Sequence, residues 1–309
     1  MARVVAVGSA LLDRVYALSN LPEPDGGAFV TDYTERAGGV AANVACALSH
    51  LGHDAAVVSR VGDDDAADTV FESLADWGVD AGGVRRGSDP TSYALVLRGP
   101  DGRRMIVAGG DSVPGLRLTD SDRERARGAD CVFTSAYGPD AAVSDLVALR
   151  ERGEISAFAF DLAGPLSELD GRGTAPETID RAAETADLFV TNEVAARSYL
   201  DCGPERAARY LRDAGAARVA VTVGEDGAYL AGGGIPAGDV EHVPAVDADV
   251  VDTTGAGDAF TAALVHAWVL GDASAIDAGR SAAVAAARNC SAAGARGALP
   301  ERDDLPDVA

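Results

Sequence analysis

The segment 252–260, Asp-Thr-Thr-Gly-Ala-Gly-Asp-Ala-Phe, places a glycine turn and a carboxylate at the start of a helix-like stretch. Glycines in such a turn let backbone N–H groups converge, and the helix dipole adds partial positive charge there. The amides of Gly255, Ala256 and Gly257 could therefore hold an anion such as a phosphoryl group. Asp258, which the dipole is expected to keep ionised, could accept a proton from an attacking hydroxyl. The structural alternative is an aspartate that merely caps a helix after a glycine turn.

The charge balance of the chain excludes several classes of protein. The 309 residues include 26 Lys+Arg and 49 Asp+Glu, and all the basic residues are arginines. Without lysine, a Walker A loop, a protein-kinase fold and Schiff-base chemistry are excluded. The net charge of -23 opposes binding to nucleic acids and anionic membranes, so neither is expected as a partner. Because the acidic residues are scattered, we favour a halophilic surface, and hence a halophilic archaeal source, over an acidic interaction patch.

The cysteines and histidines give little indication of a metal site. The four cysteines lie far apart without a CxxC pair, and only His50 and His53 are close histidines. This pattern favours buried free thiols in a reducing compartment over a structural zinc site. The N-terminus lacks the long apolar region of a signal peptide, and no apolar run is long enough to span a bilayer. We therefore expect a cytoplasmic protein.

Short apolar runs alternate with helix-like stretches over most of the chain. This alternation is typical of a parallel sheet covered by helices on both faces, and it predicts a three-layer α/β/α domain with a mostly parallel central sheet. In the last third, two alanine-rich helices at 259–270 and 274–293 are expected to pack together at one end of the sheet. The other predicted helices are 41–51, 66–77, 140–152, 178–185, 194–200 and 205–214, and the predicted strands are 3–7, 55–61, 131–136, 156–161, 188–191 and 219–223.

Two stretches, at about 12–36 and 88–111, interrupt this alternation. Both have extended character around turn sequences at 24–27 and 99–102, and neither has a helix to cover it. We expect them to form one small antiparallel β-sheet that acts as a lid within a single domain of residues 1–309. Ordinary surface hairpins are the alternative. A lid of this kind could also form a homodimer.

A second glycine motif lies near the N-terminus, where residues 38–45 read Gly-Gly-Val-Ala-Ala-Asn-Val-Ala. Together with 252–258, it resembles the two signatures of the PfkB carbohydrate kinases, the ribokinase-like family: a diglycine before an Ala-Asn helix start, and DTxGAGD. The resemblance extends from Gly8 to about Pro300. It implies a ribokinase-like fold and ATP-dependent phosphoryl transfer to a hydroxyl of a small sugar-type acceptor.

The resemblance also implies roles for individual residues. Asp258 matches the base that deprotonates the acceptor, and the amides of residues 255–257 match an anion hole that stabilises the transferred phosphoryl group. Asp13 matches an aspartate that binds sugar hydroxyls, although by itself it reads as a strand-end turn residue. The other implied acceptor-binding residues are Gly38, Gly39 and Asn43. The implied nucleotide-binding residues are Asn192, Thr222, Gly224, Gly227, Gly294 and Ala295.

Metal binding is where the chain departs from the family pattern. The resemblance implies Mg²⁺, since the charge of the triphosphate must be neutralised during transfer and no lysine can contribute. The family's NxxE motif, which organises water around Mg²⁺, begins at Asn192, but its glutamate position is Ala195. Neighbouring Glu193 could substitute only from a different helix face.

A monovalent-cation site is also implied in part. Asp252 and Thr254 match residues beside which many family members bind such an ion. The serine expected at the other edge of the site is Ala298 here. Activation by K⁺ therefore stays open.

The acceptor itself is not fixed by the sequence. Arg98, Arg103 and Arg104 lie in the predicted lid, shortly after Arg85 and Arg86, and guanidinium groups bind phosphate and carboxylate well. They could select an anionic acceptor, such as ribose 1-phosphate or 2-keto-3-deoxygluconate. Alternatively, they offset surface carboxylates or form a dimer contact. A neutral sugar remains possible, as does a nucleoside whose base stacks on Tyr137.

Two other classes of protein are alternatives to a kinase. A dinucleotide-dependent oxidoreductase would have GxGxxG after its first strand, and residues 8–11 lack this motif. A non-catalytic regulator that binds a sugar or nucleotide on the same fold would be expected to lose the base. Because Asp258 is present, the sequence favours the enzyme.

Overall fold

A nine-stranded sheet forms the centre of the molecule in the computed structural model, which describes residues 1–306. Its strands are β1 (Arg3–Val7), β4 (Asp54–Val61), β5 (Asp80–Arg86), β8 (Cys131–Ser135), β9 (Phe158–Leu162), β10 (Leu188–Asn192), β11 (Arg218–Thr222), β12 (Ala228–Gly232) and β13 (Glu241–Val243). Their order across the sheet is β13-β12-β11-β10-β9-β8-β1-β4-β5. All neighbouring pairs are parallel except those that involve β12 or β13.

Helices cover both faces of this sheet, and each face has its own apolar core. The three-layer prediction is therefore confirmed. One face carries α1 (Val40–His50), α2 (Asp65–Asp76), α9 (Ala256–Leu264) and α10 (Ala275–Asn289). The other face carries α3 (Asp120–Arg127), α4 (Asp140–Glu151), the short α5 (Leu166–Leu169), α6 (Pro176–Thr185), α7 (Glu193–Leu200) and α8 (Pro204–Ala214).

The two alanine-rich helices near the C-terminus pack against each other, as predicted. Helix α10 lies over β12 and β13 at one end of the sheet, while α9 also packs on α1. Helix α9 continues into a π-helical turn, Val265–Val269, so that the predicted stretch 259–270 is helical up to Val269. The pair thus belongs to one helical layer and places the start of α9 at the edge of the sheet.

A second, four-stranded sheet contains both of the interrupting stretches. Its strands are β2 (Leu11–Leu18), β3 (Val30–Gly38), β6 (Tyr93–Arg98) and β7 (Arg104–Gly109), in the order β3-β2-β6-β7. The β2–β3 and β6–β7 pairs are antiparallel hairpins, and β2 joins β6 in parallel. The prediction of one small sheet is confirmed, and its pairs are antiparallel as expected except for β2–β6. Its action as a lid stays a proposal.

Two further expectations concern thiols and membranes. Cys46, Cys131 and Cys290 are buried and Cys202 is half-buried, and all four are free thiols. Within residues 1–306, no helix combines the length and the apolar character that crossing a bilayer requires.

Candidate active site

The parallel strands end at one edge of the large sheet, and the glycine turn before α9 faces this edge. Ligands of open α/β sheets bind outside the carboxyl ends of the strands. A cleft of about 280 Å³ lies there, and we name it the small cleft. Its lining includes Asp161 from β9, Asn192 from β10, Thr222 from β11, and Gly255, Gly257 and Asp258 from the start of α9.

The turn before α9 depends on glycine at position 255. Gly255 caps the helix with φ +77°, and an added Cβ would lie 2.2 Å from the carbonyl oxygen of Ala295. Within residues 1–306, the amides of Gly255 and Gly257 donate no hydrogen bond, whereas that of Ala256 donates to the Thr253 carbonyl at 3.3 Å. Two of the three predicted amides are therefore available to an anion without breaking any bond.

Asp258 lies in the first turn of α9 and is half-buried. Burial raises its pKa to about 7, although a hydrogen bond from Asn43 and the charge of Arg296 act in the opposite direction. Burial thus acts against the ionised form of Asp258, which the helix dipole is expected to favour. A pKa near neutrality suits a general base, which must both hold and release a proton.

A chain of hydrogen bonds runs from the proposed base into the protein. Nδ2 of Asn43 donates to Oδ2 of Asp258 at 2.7 Å, and Nε of Arg296 donates to Oδ1 of Asn43 at 2.8 Å. Nη1 of Arg296 donates to the hydroxyl of Ser73 in α2 at 2.9 Å. The predicted acceptor ligand Asn43 therefore also orients Asp258. The resemblance places Arg296 in the 294–297 loop, which is expected to border the adenine and ribose, and it implies no role for this arginine beside the base.

Beneath the small sheet lies a second cleft, of about 550 Å³, which we name the large cleft. Asp13 lines it, and burial raises the pKa of this carboxyl to about 6 against the lowering effect of Arg296. Gly38 leaves room for Asp13, since an added Cβ would lie 2.1 Å from its Oδ2. Gly39 has φ +98° and approaches the Ser9 carbonyl too closely for a side chain. Gly38 thus makes room for the Asp13 carboxyl, and Gly39 lets two backbone segments pack closely.

The predicted lid arginines have different surroundings. Arg98 and Arg104 line the large cleft, and Nη1 of Arg104 donates to the Thr254 hydroxyl at 2.9 Å. Arg104 lines the small cleft as well and so borders both. Arg103 instead pairs with Asp101 at 2.7 Å at the tip of the hairpin.

Arg85 and Arg86 lie on β5 of the large sheet and not in the small one. Arg85 pairs with the buried Asp122 of α3 at 2.6 Å, and Arg86 pairs with Asp68 of α2. Their grouping with the lid arginines was wrong, because both hold helices to the sheet.

The predicted nucleotide residues of β10 and β11 line the small cleft. Asn192 caps α7, with Oδ1 accepting from the Ala195 amide at 2.8 Å, while Nδ2 donates to the Ala163 carbonyl at 2.6 Å. Glu193 is exposed and lies in a separate surface pocket beside Arg197. It therefore does not occupy the place of the missing NxxE glutamate.

The other predicted nucleotide residues lie in two loops. Gly224 has φ +60°, and Gly227 has φ +98° and packs against the end of β13. Gly294 and Ala295 line the large cleft, and Gly294 donates its amide to Oδ2 of Asp252 at 3.0 Å. The contact of these four residues with a nucleotide stays a prediction.

Asp252 and Thr254, the predicted cation ligands, are bonded to each other. Oδ1 of Asp252 accepts from the Thr254 amide at 3.0 Å and from its hydroxyl at 2.7 Å. With the bond from Gly294, these contacts hold the pKa of Asp252 below its usual range. The carboxylate joins the two loops that flank the start of α9, and a K⁺ ion beside it stays a prediction.

Tyr137 lies behind the small cleft. Its hydroxyl donates to Glu168 at 2.7 Å, and burial raises its pKa. An added Cβ at Gly164 would meet this hydroxyl, so the ring fills the space above that glycine. Stacking of a nucleoside base on Tyr137 stays a prediction.

Asp161 is a carboxylate that the sequence analysis missed. It is buried at the end of β9 in the small cleft, and within residues 1–306 its side chain makes no hydrogen bond. Burial, with Asp258 nearby, raises its pKa well above the usual range. Its position at the carboxyl end of a predicted buried strand was the available signal.

Comparison with known proteins assigns the chain to a family. Residues 1–302 match the model of the pfkB family carbohydrate kinases, so the chain belongs to this family. An ATP-dependent ribose-1-phosphate kinase of Halopiger xanaduensis is 33% identical, over 87% of this chain and 86% of that protein. The aminoimidazole riboside kinase of Salmonella typhimurium is 30% identical, over 86% and 80%. Arabidopsis thaliana ribokinase, solved with ribose and ATP, superimposes with a TM-score of 0.82 at 26% identity, covering 98% of this chain and 97% of that one.

Proposed function

We propose that this carbohydrate kinase transfers the γ-phosphoryl group of ATP to a hydroxyl of a sugar or nucleoside, with Asp258 as base. The observation that supports it best is the small cleft itself, where the unbonded amides of Gly255 and Gly257 lie in the same turn as a carboxyl group of pKa about 7. The two relatives named above support the class of acceptor, since one is named for ribose 1-phosphate and the other for a riboside.

The chemical step follows from these positions. Asp258 takes the proton of the acceptor hydroxyl, whose oxygen then forms a bond to the γ-phosphorus while the bond to the ADP oxygen breaks. The amides stabilise the charge on the transferred group, and they need no reorganisation because the helix start holds them. Asn43 fixes the carboxylate through its 2.7 Å hydrogen bond.

The small cleft also fits Mg²⁺. Asp161 offers a buried carboxylate that no protein donor satisfies within residues 1–306, and Mg²⁺ is commonly held by one or two carboxylates together with substrate phosphates. Bound there, the ion would neutralise the triphosphate. We assign this role to Asp161 because Ala195 is buried and Glu193 lies outside the cleft.

The small sheet supports two further proposals, a lid over the large cleft and a homodimer contact. One face lines the cleft, while residues 104–108 of β7 are exposed on both faces. Met105, Ile106 and Val107 are 51–58% exposed, which is costly for an edge strand left in water. Sedimentation equilibrium of the wild type and of Ile106→Glu tests the dimer: a monomeric wild type contradicts it.

The test of the proposed function is ADP release with ATP and Mg²⁺ over a panel of acceptors. The panel contains ribose, fructose, ribose 1-phosphate, 2-keto-3-deoxygluconate and nucleosides. Asp258→Asn should lower kcat by about 10²–10⁴-fold while leaving nucleotide binding intact, because only proton transfer is lost. The exposed Glu193→Gln is the matched control and should keep full activity. A wild-type protein that binds a sugar but releases no ADP with any acceptor would instead be a regulator.

A further inference from the structure

Two arginines face each other across the β6–β7 hairpin without a carboxylate between them. Arg98 and Arg104 are directly opposite in the register of this antiparallel pair, and both line the large cleft. Like charges in that position destabilise a strand pair. Within residues 1–306, Arg98 makes no hydrogen bond or ion pair, and Arg104 bonds only to the hydroxyl of Thr254.

The neighbouring arginine shows that a carboxylate partner is available on this hairpin. Arg103 lies next to Arg104 in the chain and pairs with Asp101 at 2.7 Å. In a chain with 49 acidic and 26 basic residues, an arginine easily finds a carboxylate. The hairpin therefore has one paired arginine at its tip and two unpaired arginines towards the cleft.

A third arginine enters the same cleft from the other hairpin. Arg36 is opposite Asp13 in the β2–β3 pair, packs on Gly294 and donates to the Ala293 carbonyl. It has no carboxylate within ion-pair distance in the described part of the chain. The cleft thus receives guanidinium groups from β3, β6 and β7.

The carboxylates of the large cleft offset these charges only in part, and the charge of Arg98 helps to lower the pKa of Asp252. Both oxygens of Asp252 accept hydrogen bonds from Thr254 and Gly294, which ties this group to the loops. Asp13 and Asp252 are the two carboxylates among the residues that line this cleft, against the three guanidinium groups of Arg36, Arg98 and Arg104. The charged side chains that line the cleft therefore leave an excess of positive charge.

We propose that Arg36, Arg98 and Arg104 bind an anionic group of the acceptor, so that the substrate is a sugar phosphate or a sugar acid. The proposal rests on the proposed function, because it names the substrate class of the same site. Guanidinium groups bind phosphate and carboxylate through paired hydrogen bonds, which gives geometric selection as well as attraction. A neutral sugar or nucleoside would offer these guanidinium groups no charged partner.

The test compares matched acceptors in the wild type and in variants. We expect a higher kcat/KM for ribose 1-phosphate or 2-keto-3-deoxygluconate than for ribose, and which anion is preferred separates phosphate from carboxylate. Arg98→Gln and Arg36→Gln should each raise KM for the preferred anion at least tenfold and leave KM for ATP within about twofold. Arg103→Gln, on the same hairpin, is the control and should match the wild type. If ribose is the better acceptor, or if neither variant changes KM for the anion, the proposal is overturned.

A binding experiment separates this proposal from the proposed function. Ribose 1-phosphate, and in a second series 2-keto-3-deoxygluconate, is titrated calorimetrically into the protein without nucleotide at one fixed KCl concentration. Binding of one of them should be lost in Arg98→Gln and kept in Asp258→Asn and Arg103→Gln, with unchanged thermal unfolding midpoints. If binding depends on Arg98 but no acceptor yields ADP, the anion site stands and the kinase assignment fails. If ADP forms but neither anion binds, the anion site fails alone.

Discussion

The charge of Arg296 acts on the proposed base without a direct contact. Its charge lowers the pKa of both Asp258 and Asp13, and its bond to Asn43 fixes the partner of Asp258. In Arg296→Gln the charge is lost, so the pKa of Asp258 should rise. Because the base acts in its deprotonated form, the acid limb of the kcat/KM–pH profile should move upward by about one pH unit.

The control for this prediction is Ser73→Ala. It removes the other partner of Arg296 but keeps the positive charge, so the acid limb should stay within about 0.3 pH unit of the wild type. A purely structural role of Arg296 makes a different prediction, in which Arg296→Gln lowers the rate equally at all pH values. That outcome would contradict the electrostatic role.

At the scale of single residues, the sequence predicts functional residues that lie together in one short segment, and it misses contacts between distant segments. Gly255 and Asp258 could be predicted because they lie in one short segment whose residue types and spacing indicate an anion site beside a base. The bond between Asn43 and Asp258 joins residues 215 positions apart, and that between Arg296 and Asn43 joins residues 253 apart. No spacing in the chain indicates such pairs. Nor does any spacing indicate Asp161, whose role follows from its burial in the small cleft.

The start of α9 is the element on which the proposed transfer depends. In Gly255→Ala, the new Cβ would meet the Ala295 carbonyl at 2.2 Å, and the residue would keep a positive φ of 77°. The left-handed backbone alone costs about 1–2 kcal/mol, and relief of the contact must displace the 294–295 loop. We therefore expect a lower urea midpoint and a kcat reduced at least tenfold.

Gly257→Ala is the matched variant for stability. Its Cβ would meet nothing within 4 Å, and the residue has an ordinary helical φ. The free energy of unfolding should therefore stay the same or rise by up to about 1 kcal/mol, and the urea midpoint should not fall. An equal loss of stability in both variants would show that the tight turn at Gly255 is not what holds α9 in place.

Two of the elements that the sequence missed, α3 and β5, have a weak apolar pattern. Helix α3 is almost entirely polar and is fixed by a capping box between Thr119 and Asp122, whose carboxylate also receives Arg85. Strand β5 contains two glycines and two arginines and gains its place by pairing with β4. The hairpin β6–β7, in contrast, was predicted because its alternation and its turn at 99–102 are local signals.

At the scale of the whole molecule, self-repulsion of the net charge of -23 opposes the compact state. Salt reduces this repulsion, since the Debye length falls from about 10 Å at 0.1 M to about 3 Å at 1 M. The thermal unfolding midpoint should therefore rise between 0.1 and 1 M salt, by the same amount in KCl and NaCl if screening is the cause. A midpoint that falls or stays constant would contradict a surface adapted to high salt.

A rise in KCl alone would instead indicate a bound K⁺, for which Asp252 and Thr254 are the candidates. Asp252→Asn should then remove the difference between the two salts.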